Sequence, residues 1–173
     1  MKKVLLAVFA LFTIKILVAQ TPEITRDASG NKIIKGFIGK SDLLTDTAFI
    51  WYAQNLKGYT PEPNAVNTLK SNKESINIIG FAGTWCDDTK NILPKFYAFA
   101  DASGFSSDRI TMLGVDRNKK TIQHLSEAFN VTNVPTFIIM KDGREIGRVV
   151  EYGKYGMVDK EIGEIITNAS KKN

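Results

Sequence analysis

Apolar residues recur along this chain in two periods, and the alternation between them lays out its elements. Lys32 to Ile38 carries β-branched Ile33 and Ile34 with Phe37, the pattern of a short strand. Leu44, Ala48, Trp51 or Tyr52, and Leu56 recur at helical spacing. The spacing predicts one amphipathic helix over Asp42 to Leu56, capped by Ser41 and closed by Gly58. A shorter helix from about Asn64 to Ser71 turns Val66 and Leu69 inward. Thr21 to Gly30 is polar and reads as a loosely held stretch ending in a turn at Ser29-Gly30-Asn31.

Ile76 to Phe81 is a continuous apolar run, as expected of a strand covered on both faces. Asp87 to Ala102 reads as a helix with Ile92, Phe96 and Ala100 in one stripe, and Leu93 and Tyr97 beside it. Pro94 lies inside that helix and should kink it. Arg109 to Val115 is the next strand, and Ile122, Leu125 and Phe129 mark a helix from about Lys120. Val134-Pro135 turns into a strand ending at Met140. Asp142-Gly143 is a hairpin signal, and Arg144 to Glu151 is the returning strand. A last helix from about Val158 carries Val158, Ile162, Ile165 and Ala169.

Alternating helices and strands predict an α/β fold: a central mixed sheet, mostly parallel, flanked by helices on both faces and finished by an antiparallel hairpin. The main domain is 76–173. Residues 21–75 form an N-terminal extension of one short strand and two helices, which the aromatic residues Phe49, Trp51, Tyr52 and Tyr59 pack onto the main sheet.

The first twenty residues have a different character. Lys2 and Lys3 precede an apolar run from Val4 to Ile14, and Leu17-Val18-Ala19-Gln20 offers a small-residue exit. This is the layout of a secretory signal peptide over 1–20, with export to the periplasm or the extracellular space. Retained, the segment would anchor the chain to a membrane, but it is short for a span and Lys15 interrupts it. Its lysines carry three of the five net positive charges, so the processed chain is near +2. No basic patch remains for a nucleic-acid partner.

One cysteine, Cys86, serves the whole chain. A lone cysteine in an exported protein is buried and inert, paired with another molecule, or reactive; a disulfide-linked dimer is one form of the second. Here the thiol falls at the start of a predicted helix, where unpaired amides and the positive dipole end favour a thiolate. Asp87 and Asp88 follow directly, and their like charge opposes ionisation of the sulfur. Thr89 lies one turn on; its hydroxyl either donates to the sulfur or helps hold the helix start. His124, the only histidine, reads as a surface residue. That removes a Cys/His nucleophilic pair and any histidine-based metal site, and no cofactor is implied.

Thr84-Trp85-Cys86, Pro94 eight residues after the cysteine, the strand ending Val115-Asp116, and Phe129 to Glu145 (FNVTNVPTFIIMKDGRE) together resemble the thioredoxin superfamily, in its exported forms with a Trp-Cys-x-Asp-Ser/Thr motif. The resemblance implies the thioredoxin-like fold and a cis Pro135 facing Cys86. It also implies a peptide groove built by Trp85, Val134 and Pro135. Two departures matter: Thr89 stands where the family has its second cysteine, and the family's buried acid and its lysine partner fall at Gly80 and Met112. The implied function is thiol–disulfide exchange with exported protein thiols or disulfides through Cys86, completed by an external thiol reductant. The alternative is a redox-inert binding module that keeps the groove.

Overall fold

The computed structural model describes residues 21–171, and the signal-like segment over 1–20 lies outside them. Among these residues six strands, β1 (Glu23–Arg26), β2 (Lys32–Phe37), β3 (Ile76–Ala82), β4 (Ile110–Gly114), β5 (Thr136–Lys141) and β6 (Arg144–Val150), form one sheet in the order β1-β2-β4-β3-β5-β6. β1 (Glu23–Arg26) and β2 (Lys32–Phe37) pair antiparallel, with Glu23 opposite Lys35 and Arg26 opposite Lys32. The stretch expected to be loose is therefore a strand. All four β1 residues are exposed, so no apolar alternation marked it. Its turn is held by polar chemistry instead: the Asp27 carboxylate accepts from the amides of Ser29 at 2.9 Å and Asn31 at 3.0 Å.

β2 joins β4 (Ile110–Gly114) antiparallel through Gly36 and Gly114, which makes the extension part of the sheet. Gly114 is required there, because a Cβ would lie 2.1 Å from the Ile34 carbonyl oxygen. The single helix predicted over Asp42 to Leu56 is broken into α1 (Lys40–Thr45), a 3-10 turn (Thr47–Phe49) and α2 (Trp51–Gln54). Asp46 breaks it. Its backbone is extended, and its carboxylate accepts from Ala48 N at 2.9 Å and pairs with Lys32, a local alternative to the helical ladder. Gly39 rather than Ser41 precedes the first turn. Leu44 is consequently exposed, whereas Leu43, Phe49 and Tyr52 are buried. The aromatic residues do pack inward, with Tyr52 against Tyr97 at 6.5 Å between centroids.

α3 (Pro63–Asn72) starts with proline at its first position and a Glu62 carboxylate accepting from Asn64 N and Ala65 N. β3 (Ile76–Ala82) is the central strand, parallel to β4 and antiparallel to β5 (Thr136–Lys141). β6 (Arg144–Val150) returns from the hairpin. Only the β3–β4 pair is parallel, so the sheet is mixed but not mostly parallel. A parallel β5 would need a crossover running back along the sheet. The actual connection holds a 3-10 turn (Ile122–His124) and one short helix, α5 (Leu125–Ala128), and β5 enters at the end where β4 leaves. The longer helix expected from Lys120 is prevented by Gln123 and His124, both at positive φ.

The two long helices are α4 (Asp87–Ala102) and α6 (Val158–Ser170). Ile166, not Ala169, completes the buried stripe of α6. Alternate β3 residues divide the core. Ile76, Ile78 and Ala82 face a large cluster with Phe96, Phe99, Phe137 and Ile162. Phe81, with Leu113, Val134 and Ile138, faces a smaller one against which Trp85 and Cys86 pack. Pro94 sits buried inside α4 and has no amide for the Lys90 carbonyl. Asn55 supplies that donor from the end of α2, Nδ2 to Lys90 O at 3.0 Å.

Candidate functional site

β3 ends in a buried Gly83-Thr84 turn that delivers Trp85 and Cys86 to the start of α4. Cys86 is the N-cap, with extended backbone, and its carbonyl accepts the first intrahelical bond from Lys90 N at 2.9 Å. The free thiol is half-buried and donates to the Val134 carbonyl oxygen at 3.3 Å. The Val134–Pro135 peptide bond is cis. The structure thus brings Trp85, Cys86, Val134 and Pro135 together where β3 ends and β5 begins, at one end of the sheet's interior strands.

Thr89 is fully buried, and its hydroxyl oxygen accepts from the Gly83 amide at 3.2 Å. That bond ties the turn before Cys86 to the helix after it. Thr84 ties the same turn to β2, donating to Lys32 O at 2.7 Å and accepting from Ile34 N at 3.3 Å. The Trp85 indole donates to Val115 O at 3.1 Å. Asp87 is exposed and paired with Lys90 at 2.9 Å, while Asp88 is half-buried.

Gly80 and Met112 are register partners on β3 and β4. A Cβ on Gly80 would lie 2.4 Å from the Met112 methyl carbon, so the thioether fills the space that a side chain at 80 would need.

Sequence reasoning missed Tyr152. It stands just beyond β6, where Glu151 N donates to Pro135 O at 2.7 Å and the Asn133 side chain bonds the Glu151 carboxylate at 2.9 Å. Burial first, then Asp88 through its charge and a hydrogen bond, push the Tyr152 phenol above its ordinary range, with smaller contributions from Cys86 and Asp87. The tyrosine therefore belongs to the electrostatic surroundings of the sulfur. Its only signal in the sequence was an aromatic residue in the turn Tyr152-Gly153 after the hairpin. His124 is almost wholly exposed. Among the described residues, no group of three histidine, cysteine or carboxylate side chains is placed to hold a metal ion, and no helix is long and apolar enough to cross a membrane.

Comparison with known proteins gives the same outline. A family model described as Thioredoxin matches residues 62–162. The thioredoxin of Echinococcus granulosus is 30% identical over 84 residues, which cover 49% of this chain and 73% of that protein. A Mycobacterium tuberculosis thioredoxin is 28% identical over 104 residues, 60% of this chain and 84% of the relative. The crystal structure of a Pseudomonas aeruginosa protein of unknown function is similar in fold, with a TM-score of 0.57 at 13% identity, covering 78% of this chain and 93% of that one.

Proposed function

This chain belongs to the thioredoxin family, whose members act on protein thiols and disulfides, and on that premise we propose that it is an exported protein exchanging thiols and disulfides through Cys86 alone. The observation that carries the reading is the placement of the one thiol. It caps the N-terminus of a long helix, beside the cis Val134–Pro135 bond, with its sulfur 3.3 Å from the Val134 carbonyl. The helix end favours negative charge at that position.

In the proposed reaction the Cys86 thiol, which donates to the Val134 carbonyl, gives its proton to water, and the resulting thiolate attacks one sulfur of a partner disulfide. A new S–S bond joins Cys86 to the partner, and the second partner sulfur departs as a thiolate. Thr89 stands where a second thiol would be needed to release the adduct, so release requires an external thiolate. That thiolate attacks the partner sulfur, restores Cys86 as a thiolate and leaves the partner joined to the external thiol. No net electrons are drawn from this chain. Val134 and Pro135, with Trp85 as a side wall, would receive the extended partner segment. The Lys2-Lys3 and Val4 to Ala19 pattern supports removal of 1–20 on export.

The test is intact-mass analysis of the processed protein treated with a peptide disulfide. One peptide adduct per chain should form, persist without further thiol, and disappear when a small thiol is added; Cys86→Ser should form none. An adduct that clears unaided would refute the lone-thiol mechanism. If Cys86 also resists a thiol probe at neutral pH while Cys86→Ser retains peptide binding, the protein is instead a redox-inert binding module.

A further inference from the structure

We propose that Asp27 and Arg117 are positioning residues for the Cys86 site, holding the Trp85 indole as a fixed wall of the groove. The assignment deepens the exchange reading and rests on it for its functional half. Asp27 is set before it meets its partner: besides the amides of Ser29 and Asn31, its carboxylate accepts from the Asn31 side chain at 3.1 Å. Only 10% of the Asp27 side chain is exposed. Arg117, in the loop after β4, donates to Asp27 Oδ2 through Nε at 3.0 Å and also through Nη2. That fork lays the guanidinium over the Trp85 ring, 4.7 Å from its centroid.

The ring is held elsewhere as well. Its N–H is bound to Val115 O. Gly83 lies so close that a Cβ there would come within 2.9 Å of an indole carbon. The turn that carries Asp27 also reaches the helix start, since Lys90 donates to the Asn31 side chain at 3.5 Å and to Asp87 at 2.9 Å. With Thr84 bonded to Lys32 and Ile34, the β1–β2 hairpin touches the reactive loop at three places. Its turn braces the segment that presents the thiol.

The test uses the processed chain with Trp51→Phe, which leaves Trp85 as its only tryptophan. Asp27→Asn keeps an acceptor for the turn amides but removes the charge that orients Arg117; Arg117→Ala removes the stacked cation; Arg117→Lys keeps a cation without the planar fork. Acrylamide quenching of Trp85 should rise about two- to fivefold in Asp27→Asn and Arg117→Ala, and less in Arg117→Lys. Capture of a peptide disulfide should slow by about the same two- to fivefold, while alkylation of Cys86 by iodoacetamide, which needs no wall, stays within about twofold. Unchanged quenching in both Asp27→Asn and Arg117→Ala would overturn the clamp. Equal slowing of capture and alkylation would overturn the positioning role, because it would report a general loosening of the loop. If the parent captures no peptide, the exchange reading falls, and quenching alone still decides the clamp. Circular-dichroism melts identify any variant that fails to fold, and Arg117→Lys then carries the quenching comparison.

Discussion

Replacing Thr89 with cysteine probes the scaffold and the chemistry of the site together. In the native chain the fully buried Thr89 hydroxyl accepts the Gly83 amide at 3.2 Å, and a thiol is a weaker acceptor. Gly83 is buried as well. A buried amide deprived of its partner costs about 1–3 kcal/mol. At about 2–4 °C per kcal/mol for a domain of this size, reduced Thr89→Cys should melt about 2–12 °C below the native protein. Thr89→Val has the same shape and no acceptor, so it should fall at the lower-melting end of that range. The chemical effect is of another kind. A second thiol in the same chain competes with external thiols at an effective concentration of about millimolar or more. A peptide adduct on Cys86, persistent in the native protein, should therefore clear unaided in Thr89→Cys and leave an internal disulfide between Cys86 and the introduced thiol. Intact mass separates the two results, as a retained peptide or as the loss of two hydrogens. If both variants melt like the native protein, Thr89 is not the strut described above. If Thr89→Cys holds its adduct as long as the native chain does, absence of a second thiol does not explain trapping.

Other positions give equally direct expectations. Met112→Ala should lose about 2–5 kcal/mol by opening the space over Gly80, and Gly80→Ala about 1–3 kcal/mol by crowding the thioether. Denaturant titration of the double variant should cost less than the two together, by about 0.5–3 kcal/mol; strict additivity would show that they do not share one space. Asn55→Ala should cost about 0.5–1.5 kcal/mol by removing the donor to Lys90 O. That loss should disappear in a Pro94→Ala background, where the helix regains its own amide for that carbonyl. Asp27 is held at about 2, chiefly by Arg117, against about 3.9 when unfolded. A depressed carboxyl stabilises the fold above the unfolded value and ceases to do so as pH falls through the folded one. The stability gap between native and Asp27→Asn should thus be constant from neutral pH to about 4 and close by about 2. Parallel acid-unfolding curves would contradict the ion pair.

Period and punctuation carried most of the fold. The five strands read from apolar runs, and the helices Asp87–Ala102 and Val158–Ser170, match the structure to within about a residue or two at their ends. What failed was polar and local. β1 has no buried residue, so nothing apolar announced it, and Asp27 defines its turn through hydrogen bonds that spacing does not encode. Asp46 interrupts a stretch whose apolar positions still fit a helix, because its carboxylate competes for the backbone. Gln123 and His124 adopt positive φ with no glycine to signal it. At the site, Cys86 was singled out by the helix start that follows it, whereas Trp85, Val134 and Pro135 were named through the family resemblance; the structure sets these four near one another. Arg117 lies in a loop and meets Trp85 only through a tertiary contact, and Tyr152 lies in the turn after the hairpin; such loop residues are the part of a site that periodicity leaves blank.

The Gly80–Met112 pairing also bears on how Cys86 loses its proton. At the places where the wider family resemblance puts an acid and a lysine, this chain has a glycine and a thioether packed together. Neither exchanges a proton near neutrality. Burial and the nearby carboxylates bear instead on Tyr152, just beyond β6. Tyr152 is pushed up, first by burial and then by Asp88, so its phenol stays protonated at neutral pH and offers a donor rather than a base. In the exchange proposed above, the thiol proton, held on sulfur in a hydrogen bond to the Val134 carbonyl oxygen, leaves toward the open face of the groove. The thiol needed to release an adduct arrives through the same face. On the proposed mechanism, proton acceptor and resolving thiol both come from outside, and the partner segment would occupy that opening while the adduct lives. The proposal then predicts that release depends on how far the bound partner leaves the sulfur uncovered, which would give the Trp85 wall and its Asp27–Arg117 brace a part in the exchange.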